Sequence, residues 1–290
     1  MLNFFKRNLN VGSFDCILIV SDYSIDPEVP RYLLSLAQET NSETICIRMI
    51  SQPRGSEPPL KIARAMRKAD IAILATSISY THSEAAKAAA RAGTKVVSMP
   101  GIRLENLKQG GINVEPKHLN GIADILEKFL KDAKTIRVTS SIGTNILLDV
   151  SSRKWYRDVG IFEKGKIGNL PAGEIFIAPK NSNGLIMIDG SLTSIGRLKE
   201  PIRVMVKDNR IIEAPDFLKE AEALGEFGIG LNPFAVLSGN LLEDEKVAGT
   251  VHFGFGNNTS FGGTNEVPLH LDGVITQPIV FKDNKRFQLP

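Results

Sequence analysis

The chain has few of the residues that build disulfide-stapled, zinc-ribbon or nucleic-acid-binding proteins. Its 290 residues include two cysteines, Cys16 and Cys46, too few for a disulfide framework or a thiolate zinc site. Both lie within short apolar runs, which predicts buried, unreactive thiols. Tryptophan occurs once and histidine only four times. Neither sign of charge dominates: 35 Lys and Arg against 32 Asp and Glu leave a net charge of +3, and no basic run stands out. Nucleic acid is therefore not an expected partner. No apolar run approaches the roughly 18 residues of a membrane span, so no membrane partner is expected. The apolar run at 16–20 is too short for a signal-peptide core, and a reducing, cytoplasmic setting fits best.

Two nucleotide-binding signatures are also missing. Where a G-x-G-x-x-G fingerprint would follow the first strand stands Val20-Ser21-Asp22-Tyr23-Ser24, and no G-x-x-x-x-G-K-[ST] occurs. The glycines Gly225, Gly228 and Gly230 have the wrong order for a dinucleotide loop. A dinucleotide site is excluded on these grounds.

What remains is ordinary globular material, 42% hydrophobic and 23% charged. At roughly 150 residues per domain, the length implies about two domains. Residues 14–100 alternate short apolar runs (16–20, 44–50, 71–75, 95–99) with helical patterns (30–39, 60–68, 83–92). Uninterrupted apolar runs are how strands buried on both faces read, so an α/β, doubly wound parallel sheet is predicted. Ser83 stands where an N-cap belongs and Gly93 where a helix stops. A helix near 121–134 closes this first, flavodoxin- or Rossmann-like domain, residues 1–134. Residues 135–290 change rhythm to short strands at 135–140, 145–151, 174–178, 184–188 and 202–207, with one helix at 214–224. They form a strand-rich, mostly antiparallel α+β domain, the expected seat of metal binding and catalysis.

Chemistry concentrates in that second half. His270-Leu271-Asp272 sets two metal-ligating side chains two residues apart, on one face of a strand. His252 lies in Val251-His252-Phe253-Gly254-Phe255, alone with Gly254 on the face opposite the apolar residues. A single histidine so placed is more often hydrogen-bonded near a surface than a ligand. Glu174, heading the apolar run Ile175-Phe176, and Glu226, set among glycines and apolar residues, are carboxylates that need a partner. Glu243, Asp244 and Glu245 crowd together and read as a surface turn. Two histidines, two glutamates and an aspartate without thiolates suit zinc, manganese, cobalt or iron(II).

Four blocks carry a resemblance: Asn169-Leu170-Pro171-Ala172-Gly173-Glu174, Glu226-Phe227-Gly228-Ile229-Gly230-Leu231-Asn232-Pro233, Gly249-Thr250-Val251-His252 and His270-Leu271-Asp272. In order and approximate spacing they resemble the aminopeptidase T family of thermophilic metallo-aminopeptidases, whose superfamily includes the ring-cleaving 2,5-dihydroxypyridine dioxygenase. The resemblance implies that Glu174, Glu226, His252, His270 and Asp272 bind metal, that Glu174 or Glu226 acts as general base, and that the protein is a homodimer. It implies a hydrolase that removes N-terminal residues from small peptides by a metal-activated water, with Zn, Co or Mn as cofactor.

One position departs from that pattern. The peptidases carry a tyrosine seven residues after the G-T-x-H histidine, and here that residue is Thr259. The departure favours the alternative, a mononuclear non-haem Fe(II) dioxygenase acting on a hydroxylated heteroaromatic small molecule. In it, His252, His270 and Asp272 form the ligand face and a glutamate moves protons. A non-catalytic binding protein on the same fold is the third reading.

Outside the blocks, His82 reads as a helix-capping neighbour in preference to a substrate contact, and His118 as a solvated loop residue. Trp155 and Tyr156, with Arg153 and Arg157, line a substrate mouth or pack an interface; the sequence supports both.

Overall fold

A computed structural model describes residues 3–267 and 269–290. The chain divides into two compact units, Met1–Pro116 with Asp158–Ala172, and Lys117–Arg157 with Gly173–Pro290.

In the first unit, five parallel strands lie in the order Glu43–Met49, Cys16–Asp22, Ile71–Ala75, Lys95–Ser98, Ile167–Asn169. This 2-1-3-4-5 order is the flavodoxin-like arrangement, and it fits the alternating rhythm of the sequence. Leu18, Val20, Ala72, Leu74 and Val96 pack with Ile62, Met66, Ala86 and Ala89 from the helices Leu60–Met66 and Glu84–Arg91. The intervening Ile17, Ile19, Ile71 and Ile73 are equally buried and point the other way, so both faces of the sheet are covered. Helix Glu84–Arg91 starts where expected: Ser83 Oγ accepts from the Ala86 N–H, and Gly93, at φ +100°, ends it.

Two expectations change here. The Glu43–Met49 strand is an edge, so Cys46 is exposed, and Cys16, the first residue of its strand, is half-buried; the thiols are not core residues. In place of a single cut near 134, the chain crosses between units more than once. Residues 117–157 cluster with the second unit, while Asp158–Ala172 returns to supply the fifth parallel strand. That strand has three residues, too short to register as an apolar run.

The second unit holds two antiparallel sheets. One runs Arg210–Glu213, Ile202–Lys207, Asn181–Ile188, Asn145–Asp149, Thr135–Thr139, Ile279–Lys282, Lys285–Phe287. The other has as its inner strands Ser191–Leu192, His270–Ile275, Val251–Gly256, Leu224–Gly230 and Glu174–Ile177. The sheets meet where Ile188 packs on Gly273; a Cβ at Gly273 would lie 2.6 Å from Ile188 Cδ1.

The helix expected at 214–224 is only Asp216–Lys219. Glu222 adopts φ +63° and breaks the path, and Leu224 opens a fully buried strand bonded on both sides. Strand pairing outweighs helix propensity there. Among the described residues, no helix is long and apolar enough to cross a membrane.

Candidate metal centre

Four neighbouring strands of the second unit build the site through their register. Glu174 stands opposite Gly230, and Gly228 is flanked by Phe176 and His252. Glu226 lies opposite Gly254, which faces Asp272 in turn, and Gly256 faces His270. Directly opposed residues share a face, and so do residues two apart. One face therefore carries Glu174, Glu226, His252, His270 and Asp272 with glycines between them. The other carries Ile175, Ile177, Phe227, Ile229, Val251, Phe253, Phe255, Leu271 and Ile275, all buried. Apolar alternation fixes this register, because slipping by one residue would send the charged set into the core.

The glycines make the space. A Cβ on Gly228 would lie 2.1 Å from His252 ring atoms. One on Gly254 would lie 2.7 Å from Asp272 Oδ1 and 2.8 Å from His270 Nε2.

All five residues expected to bind metal come together. Their ligand atoms form two triplets that share Glu226: Glu174, Glu226 and His252, and Glu226, His270 and Asp272, the atoms of each within 4.8 Å of one another. His252 Nε2 is 3.3 Å from Glu174 Oε2 and 3.4 Å from Glu226 Oε1. His270 Nε2 is 3.4 Å from Glu226 Oε2 and 3.0 Å from Asp272 Oδ1. Glu226 thus lies between the two imidazoles, and the histidines fall in different triplets.

Hydrogen bonds outside the cluster orient its members. The Nδ1–H of His270 donates to the Asn257 carbonyl at 2.8 Å, which turns Nε2 toward the carboxylates. This is the arrangement in which a metal-ligating histidine is held by a backbone acceptor. The Asp272 N–H donates to Thr193 Oγ1 at 2.8 Å. Glu174 Oε2 and His252 Nδ1 are buried without a hydrogen-bond partner.

The electrostatics ask for positive charge. Burial opposes protonation of His252, but its hydrogen bond to Glu226 and the charges of Glu174 and Glu245 raise its pKa to about 9. Burial likewise opposes charge on His270, and Asp272, then Glu226, lift it to about 10. Asp272 is pushed up by burial and pulled down further by His270, so its net shift is downward. Crowded carboxylates, oriented imidazole nitrogens and a buried carboxylate oxygen without a hydrogen bond fit a divalent cation bound through nitrogen and oxygen.

Sequence reasoning missed Lys246. Its side chain is fully buried, and Nζ donates to Glu174 Oε1 at 2.6 Å and also to Glu245. Burial pushes the Glu245 carboxyl up to about 8, against the pull of Lys246. The neighbouring run Glu243-Asp244-Glu245 is not the surface turn expected. Glu243 and Asp244 are buried because their carboxylates accept backbone N–H bonds, Glu243 from Val236 and Asp244 from Ser238 and Gly239. A charged run gives no sign of such bonds; the one available signal was a lysine closing it before Val247 and Gly249.

Trp155 and Tyr156 divide the two roles offered to them. Trp155 packs edge-on to Phe227 on the apolar face, at 6.3 Å. Tyr156 stacks on Phe176 at 5.8 Å on the face that carries the cluster. Phe261 completes that wall, edge-on to Phe176 at 5.4 Å and to the His270 ring at 6.2 Å. Arg157 is committed to Asp124 and Glu127. His82 is exposed beside Ser83 in the first unit, and His118 is exposed but sits on helix Pro116–Leu130, where a loop was expected. Neither belongs to the cluster.

The family described as NicX, 2,5-dihydroxypyridine 5,6-dioxygenase, matches residues 35–287. No curated protein matches the chain in sequence. Among solved structures, the 2,5-dihydroxypyridine dioxygenase from Pseudomonas putida KT2440 superposes with TM-score 0.78 at 18% identity, over 99% of this chain and 94% of that one. AmpT from Thermus thermophilus superposes with TM-score 0.64 at 15% identity, over 99% of this chain and 96% of that one. The fold is shared with both. The match across residues 35–287 shows that the chain belongs to the NicX family.

Proposed function

We propose that this protein is a metal-dependent dioxygenase that opens the ring of a hydroxylated nitrogen heteroaromatic, of the dihydroxypyridine class. The observation that carries the reading is the convergence of His252, His270 and Asp272 around Glu226 on one glycine-lined sheet face, in a chain that belongs to the NicX family. The donor set is nitrogen and oxygen only, which suits iron(II). Bound there, iron(II) would supply the redox chemistry that brings O₂ and a chelating substrate together.

The chain's own residues account for the rest. His252, His270 and Asp272 would hold the ion, with Asn257 fixing the His270 tautomer. Glu174 is held through Oε1 by Lys246 and keeps Oε2 without a hydrogen-bond partner, so it can take a proton from a substrate hydroxyl. Phe261, Phe176 and Tyr156 offer an aromatic wall beside His270 on which a planar ring can stack.

A second reading has its own support. Two triplets sharing one bridging carboxylate are also how a pair of ions would be held in a peptidase like aminopeptidase T. Against it stands Thr259, where those peptidases place a phenol. Protein loaded with iron(II) under anaerobic conditions should consume O₂ when 2,5-dihydroxypyridine is added, with loss of the ring's absorbance. Release of free amino acid from dipeptides by cobalt- or manganese-loaded protein, without O₂ uptake, would replace this reading with the hydrolase. Silence in both assays would leave a binding protein.

A further inference from the structure

We infer that Lys246 is a positioning residue that stands where a second metal ion would otherwise go, keeping Glu174 out of metal coordination and the site at a single ion. The inference rests on the metal-centre reading and goes beyond it, because the five clustered residues alone would accept two ions.

The first triplet, Glu174, Glu226 and His252, has the composition of a cation site. Its Glu174 carboxylate is already paired with a cation that belongs to the chain. Lys246 is fully buried, and its ammonium lies 2.6 Å from Glu174 Oε1, with Glu245 on its other side. An ammonium and a dication competing for one carboxylate in a desolvated pocket repel strongly, since Coulomb energies rise as the effective dielectric falls. The ligands proposed for the single ion, His252, His270 and Asp272, do not include Glu174 or Glu245, with which the ammonium pairs.

The backbone holds the lysine in place. The Asn232 N–H donates to the Lys246 carbonyl at 2.8 Å, and residues 232 and 247 form a parallel bridge. Gly230 permits this approach, since a Cβ there would lie 2.1 Å from the Val247 carbonyl oxygen. Gly230 is also the residue paired with Glu174. The same short stretch of strand therefore positions both members of the ion pair. On the next turn, Asp244 binds the N–H groups of Ser238 and Gly239 and anchors the segment that carries the lysine.

The test is metal stoichiometry, read by elemental analysis and by titration with Mn(II) followed by calorimetry and EPR. Wild-type protein should bind a single ion with an uncoupled Mn(II) signal. Lys246→Met should bind a second ion and show the spin-coupled signal of a pair, while Lys246→Arg should stay at a single ion. A single ion in folded Lys246→Met, or two in the wild type, overturns the inference. Should Lys246→Met not fold, Glu174→Gln decides, because the amide oxygen still accepts from Lys246. Its Mn(II) affinity should equal that of the wild type, whereas a drop of about 10–100-fold, the scale for disturbing a metal's partners, would make Glu174 a ligand and refute the role given to Lys246. No ion in the wild type after loading would instead refute the metal centre itself, a distinct outcome.

Discussion

Gly228 and His252 face each other across an antiparallel pair, and the side chain that Gly228 lacks is the space the imidazole fills. Gly254 does the same for Asp272 and His270 one row along. These two glycines make room for the polar side chains that share this sheet face.

Gly228→Ala and Gly254→Ala should therefore damage the site more than the fold. In each, the added methyl collides with side-chain atoms of the cluster and not with backbone. Metal affinity should fall by about 10–100-fold, as it does when groups orienting a ligand are disturbed, with circular dichroism unchanged. Full metal affinity in both variants would show that the ring positions do not matter.

Phe261→Ala should separate substrate binding from metal binding. Phe261 contributes one ring of the wall with Phe176 and Tyr156, and its own contact with the cluster is edge-on to His270. Metal content should hold while KM for an aromatic substrate rises, by about fivefold if one ring contact of roughly 1 kcal/mol is lost. An unchanged KM would place the substrate elsewhere.

Asp22 supplies a test in the first unit that is independent of metal. Burial raises its pKa, but hydrogen bonds from the Ser77 N–H and hydroxyl, the Ser51 hydroxyl and the Ser24 N–H outweigh it, and the net shift is downward from 3.8. A carboxyl depressed in this way stabilises the fold above its ordinary value, and that contribution is lost as pH falls through the folded value. Urea unfolding should show stability dropping below about pH 4. Asp22→Asn should be less stable by about 1–3 kcal/mol at neutral pH and should lack this group's share of the acid-induced loss. Equal acid sensitivity in both proteins would assign the loss to other carboxylates.

Much of the site was legible because strand periodicity is simple. His270 and Asp272 stand two apart, and His252 alternates with phenylalanines, so the functional face can be read once the strands are assigned. The parallel strands of the first unit were legible for a related reason, since inner strands buried on both faces are unbroken apolar runs. Lys246 was hidden because its burial depends on Glu174, 72 positions away. Glu243 and Asp244 look like surface residues locally, and only the folded loop at 236–239 brings N–H groups to their carboxylates. The short helix Asp216–Lys219 and the exposure of Cys46 depend equally on strand pairing, which local pattern does not encode.

The central claim is that this sheet face is a metal centre, and metal content in three proteins tests it most directly. Wild type, His252→Ala and Asp272→Ala would be purified without oxygen or chelator, loaded with iron(II), desalted and measured by elemental analysis. The account predicts iron retained by the wild type and lost from both variants, with all three equally folded. Iron retained equally by all three would contradict it.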